Sequence, residues 1–205
     1  MNKSTAYTLF FILRMIIYAA IMLLINLAFM HDAREITSTG KFGENSLTEI
    51  LQESLIFILG IIFLASGRLD RELTPVTNLL SVFFFMAFVR EFNNQLEFWF
   101  YLVLPLILIF AWLVIRDRQK IFPALEKLLK MHVSAYLVTG FLVTFIFSRL
   151  FGKTDFWVTL LGEDYNRWAK NAAEEGTELL GYSLFFIAGI EILLHLFKNR
   201  KTAAA

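Results

Sequence analysis

The chain has 205 residues, 58% of them hydrophobic and 16% aromatic, with a mean hydropathy of +0.62 and a formal net charge of only +1. Soluble domains carry about 45–50% apolar residues, so this composition excludes an ordinary water-soluble globule and selects the integral membrane class. The absence of cysteine excludes a disulfide framework, a cysteine-based zinc site, an iron–sulfur cluster and a thiol nucleophile.

A bilayer core about 30 Å thick is crossed by roughly 20 mainly apolar helical residues. Six such stretches follow one another. The first, 8–30, is interrupted only by Arg14, and the second, 50–67, has Glu53 near its start. It is followed by 74–89 and by 98–115, where Pro105 near the middle is expected to kink the helix by removing a backbone hydrogen bond. The fifth stretch is 131–148. The sixth, 179–197, is unbroken except for Glu191 and His195. Each is apolar around its whole circumference, unlike the one-sided helices of soluble proteins. The first run has no small-residue cleavage pattern after it and five further spans follow, so it reads as a retained helix and not a secretory leader.

Helix starts are marked locally. Ser46-Leu47-Thr48-Glu49 fits a capping box before the second span, and Thr74-Pro75 supplies a cap residue and a first-turn proline before the third. Phe122-Pro123-Ala124-Leu125-Glu126 reads as a new helix opening ahead of the fifth. Residues 155–173 mix Phe156, Trp157, Leu160, Leu161, Tyr165 and Trp168 with charges, which predicts a helix lying in the membrane interface. Backbone polar groups in lipid need internal partners. The expected fold is therefore all-α: a polytopic membrane bundle of six transmembrane helices, forming one membrane domain over 1–205.

With six spans both termini share one side. The segments on that side hold 11 Lys and Arg against four acids, and the opposite segments hold seven against 13. The faces thus carry about +7 and −6, and the positive-inside rule places both termini in the cytoplasm, in a bacterial inner membrane. The acidic face would be outermost.

Ionisable groups within spans cost about 2.5–3.5 kcal/mol or more at the bilayer centre unless paired or solvated. Arg14 and Glu191 each lie six residues, about 9 Å at 1.5 Å per residue, from the cytoplasmic end of a span. Equal depth and opposite charge predict an ion pair between them, while snorkelling of Arg14 is the plainer alternative. His132 and His195 sit on the same side. Such histidines could ligate a haem or, with Glu191, a divalent metal, but an interfacial histidine is more simply an amphipathic anchor.

The outer span ends are richer in polar groups. Glu49 and Glu53 begin the second span, Arg90 and Glu91 close the third with Asn94 just beyond, and Glu175 and Glu178 precede the sixth. Convergent carboxylates there could bind a divalent cation, relay protons or act as acid and base. The plainer reading is that Glu49, Glu53, Glu174, Glu175 and Glu178 occupy first turns, where the helix dipole favours acids. Glycines at 60, 140, 181 and 189 read as packing residues.

No Gly-rich phosphate loop, HExxH or GxSxG motif occurs. The leading expectation is an outward-facing acidic polar cavity that binds or conducts a small cation or proton. The alternatives are an integral membrane enzyme acting on a lipid or lipid-linked substrate at the outer interface, and a non-catalytic subunit of a membrane complex. Membrane lipids, a second copy or a membrane-complex subunit are the expected partners, and nothing points to nucleic acid.

Overall fold

The computed structural model describes residues 2–39, 46–92 and 97–203, and every regular element among them is helical. The helices are α1 (Lys3–Thr39), α2 (Leu47–Leu69), α3 (Thr74–Glu91), α4 (Trp99–Leu129), α5 (Ser134–Phe141), α6 (Ser148–Gly152), α7 (Thr154–Leu161) and α8 (Arg167–Ala203). A π-helical segment, Leu142–Phe147, joins α5 to α6, and a 3-10 turn, Gly162–Asp164, follows α7. Five helices are long and apolar enough to cross a membrane: Ser4–Arg34, Leu47–Leu69, Trp99–Leu129, Ser134–Gly152 and Arg167–Arg200. The third apolar stretch, 74–89, forms α3, whose 18 residues span about 27 Å at 1.5 Å per residue. Its ends are polar and it does not join the five.

Four local expectations are corrected. The Phe122-Pro123 start is internal to α4, which runs unbroken through Pro105 and Pro123 to Leu129. Ala124 and Leu128 beyond the proline are buried in the core, so packing continues the helix past it. The single helix expected over 155–173 divides at Gly162, whose φ of +57° ends α7. α8 then starts at Arg167, so Glu174, Glu175 and Glu178 lie beyond its first turn, where the dipole no longer favours acids. Thr74 is not a cap either. Leu73 holds that position, and the Thr74 hydroxyl donates to the Gly67 carbonyl of α2 at 2.6 Å.

The chain forms two compact units, Met1–Leu51 with Leu150–Gly176, and Gln52–Arg149 with Thr177–Ala205. In the first, α1 leaves Phe10, Leu13, Ile16 and Leu24 exposed, as suits a helix in contact with lipid. The start of α2 is capped twice. Ser46 Oγ accepts from the Glu49 amide at 3.1 Å, the first half of the capping box, while buried Asp32 of α1 accepts from the Leu47 and Thr48 amides at 3.1 and 2.7 Å. Thr48 Oγ1 donates to the same carboxylate at 2.7 Å. Asp32→Ala is therefore expected to cost about 1–2 kcal/mol, the upper range for a lost cap. An unchanged unfolding midpoint in detergent would remove Asp32 from the capping role. Further along, the Trp157 indole donates to the Phe151 carbonyl at 2.6 Å, fixing α7 against the end of α6.

The second unit holds the hydrophobic core, built from Ile56, Leu59, Phe63, Val76, Phe84, Tyr182, Phe185 and Ile192 with their neighbours. α3 runs back along α2. Ser81 Oγ donates to the Gly60 carbonyl at 2.7 Å, and Phe63 stacks on Phe84 with centroids 5.5 Å apart. Phe84 in turn meets Phe185 of α8 edge to face at 5.1 Å. At the opposite end of α4 from Trp99, Lys127 Nζ donates at 2.7 Å to both Asp70 and Glu72, tying that helix to the α2–α3 turn.

Candidate functional site

Polar groups of the second unit gather where α3 ends, α6 begins and α8 enters that unit. Gly140 and Gly181 bring α5 and α8 together: a Cβ on Gly140 would lie 3.1 Å from the Gly181 carbonyl oxygen. One on Gly181 would fall onto the Thr144 hydroxyl, so that hydroxyl occupies the space the glycine leaves. Small residues allow this approach between membrane helices. The helix facing Gly181 widens into its π-segment at the same level, a feature found often at functional positions. Thr144 is 1% exposed and its Oγ1 has no hydrogen-bond partner among the described residues.

One turn further, Ser148 Oγ donates to the Thr144 carbonyl at 2.5 Å and lies 3.4 Å from Glu178 Oε1. Arg149 forms an ion pair with Glu178 and donates from Nε to Ser148 Oγ at 3.3 Å. The Glu178 side chain is 10% exposed and that of Arg149 46%. The carboxylate is thus buried with a cation and a hydroxyl beside it, which is what an acid in an apolar setting requires.

On the other side of this contact is a cavity of about 210 Å³. Phe83, Met86 and Ala87 of α3 form one wall, Val103 and Trp99 of α4 another, and Phe145 of the π-segment with Tyr182 of α8 complete it. Phe145 follows Thr144 and Tyr182 follows Gly181, so the close approach that buries Thr144 also sets both rings. Arg90 closes the cavity at the end of α3. Its guanidinium is 3.5 Å from Glu91 Oε1, with 48% of the side chain exposed.

The expected site residues divide between the two units. Glu53, Arg90, Glu91 and Glu178 belong to the second, and Glu49 and Glu175 to the first; Asn94 lies outside the described residues. Arg14 is in the first unit and Glu191 in the second. Within the second unit the structure pairs Arg90 with Glu91 and Glu178 with Arg149. Arg149, Ser148, Tyr182 and the aromatic walls were not singled out by the sequence; the one available signal was that Tyr182 lies a helical turn after Glu178, on the same face. His132 and His195 are both exposed, with Asn199 Nδ2 3.0 Å from His195 Nε2. Among the described residues no three His, Asp or Glu side chains are grouped to hold a metal ion.

The arrangement is chemically an apolar slot with one guanidinium at its rim. No protein-family model, no curated protein and no solved structure matches this chain.

Proposed function

We propose that the chain is a six-span membrane protein with cytoplasmic termini whose second unit receives one apolar chain of a lipid in the cavity between α3, α4, the π-segment and α8. The carrying observation is the cavity itself, apolar on its walls, set among helices apolar enough to span a membrane. Its volume of about 210 Å³ is well above what a single water needs and leaves room for a segment of an apolar chain. The side-by-side packing of α3 on α2 supports counting α3 as the sixth span, since the two cover the same depth.

The cation- or proton-conducting reading has weaker support, because two acids of the second unit at this end carry partners: Glu178 has Arg149 and Ser148, and Glu91 has Arg90. A catalytic role for Glu178 on a lipid meets the same objection.

Trp99 makes the proposal measurable. In a protein with Trp112, Trp157 and Trp168 replaced by phenylalanine, dibrominated phosphatidylcholine is expected to quench Trp99 through a chain seated in the cavity. Ala87→Phe fills the slot and is expected to reduce that quenching to the level of a lipid-facing tryptophan. Equal quenching in the two proteins, both folded by circular dichroism, removes the cavity reading.

A further inference from the structure

Resting on the chain-binding reading above, we propose that the cavity selects an anionic phospholipid of the surrounding bilayer, with Arg90 holding the phosphodiester while one acyl chain enters the slot.

Among the described residues lining the cavity, Arg90 carries the sole charge. It stands at the end of α3 and lines the same cavity as Trp99, whose apolar body and N–H suit the level where head groups meet chains. The guanidinium presents five N–H donors in a rigid fork that matches phosphate oxygens. Its contact with Glu91 is 3.5 Å, well beyond the 2.7–2.9 Å of a close charge-assisted hydrogen bond, and nearly half of the side chain is accessible. An anion can therefore engage Arg90 without displacing a tight partner. Arg149, the other guanidinium at this end, is committed to Glu178 and Ser148.

The charges around the slot also determine what it rejects. A cationic head group would meet Arg90 directly. A zwitterionic one brings its own ammonium to the same rim, where the guanidinium opposes it. A single-chain fatty acid shares the anion but presents it on a chain with no glycerol backbone to hold the carboxylate at rim height, so the phospholipid is the favoured occupant.

The experiment uses the full chain in bilayer nanodiscs, in the single-Trp99 form, with dibrominated phosphatidylglycerol or dibrominated phosphatidylcholine titrated into an unbrominated matrix. Half-maximal quenching is expected at about tenfold lower mole fraction of the glycerol lipid, as a charge-assisted contact gives. Arg90→Gln is expected to abolish that preference, bringing the two half-points together, and Arg90→Lys to keep part of it. Equal half-points for the two lipids overturn the head-group proposal, as does a preference that survives Arg90→Gln. Selective quenching by dibromostearate alone overturns it too, by assigning the site to a free acid. If the lipids quench alike and Ala87→Phe still blocks both, the cavity reading stands and only the head-group assignment falls. If Ala87→Phe changes nothing, the cavity reading itself has failed.

Discussion

Gly181→Ala is expected to destabilise the second unit by about 3 kcal/mol, the upper part of the range for overpacking a tight core. The added methyl falls onto the Thr144 hydroxyl and also lies 3.0 Å from both Thr144 Cβ and Thr144 N. A hydroxyl can rotate away, but a backbone nitrogen inside a helix cannot. Gly189→Ala is the control. Its Cβ would meet Ile62 Cγ2 at 3.0 Å and Leu59 Cδ2 at 3.3 Å, side-chain atoms and not backbone, and a cost of about 1 kcal/mol is expected. Thr144→Ala in the Gly181→Ala background is expected to recover part of the loss and not all, since the backbone contact persists. Alone, Thr144→Ala is expected to be neutral or stabilising, because it removes a buried hydroxyl that has no partner among the described residues. Denaturation in sodium dodecyl sulfate followed by circular dichroism measures all four. Equal losses at Gly181 and Gly189 would remove the argument that backbone, and not side chain, is the obstacle.

The ion pair at the same end predicts an asymmetry. Arg149→Leu leaves the Glu178 carboxylate, 10% exposed, with only Ser148 beside it, and is expected to cost about 3 kcal/mol, the lower end for breaking a buried pair because Arg149 itself is half accessible. Glu178→Gln leaves a guanidinium that reaches water, and a loss of about 1 kcal/mol is expected. The double variant is expected to cost less than the sum, since neither charge is then stranded. A larger loss for Glu178→Gln than for Arg149→Leu would mean that burial of the carboxylate does not govern this pair.

Helical class and the positions of five helices apolar enough to cross a membrane were legible because an apolar run of about 20 residues has few alternatives in a bilayer. The start of α2 was legible as well. A capping box is written in four consecutive residues, and the Ser46–Glu49 contact forms as that motif predicts. The second cap of the same helix was hidden, since Asp32 reaches Thr48 across 16 residues of chain. Glu178 shows why a correct residue can be given the wrong reason. Read as a first-turn acid, it seemed to need only the helix dipole; α8 begins at Arg167, and the carboxylate instead depends on Arg149, 29 residues earlier. Pro123 misled in the opposite direction, because a local rule for helix starts is overridden when Ala124 and Leu128 are buried by their neighbours.

The sequence by itself determined the helical composition, the stretches long and apolar enough to cross a membrane, the glycines available for close packing and the exclusion of cysteine chemistry, since these depend on composition and on patterns within one turn or one helix. Only the tertiary structure decided which acids acquire cations, that Gly181 receives the Thr144 hydroxyl, and that Arg90 stands over an apolar slot between Phe145, Val103 and Tyr182. Those are contacts between helices distant in the chain. Their existence depends on the rotation of each helix about its axis, which a helix apolar on every face does not encode.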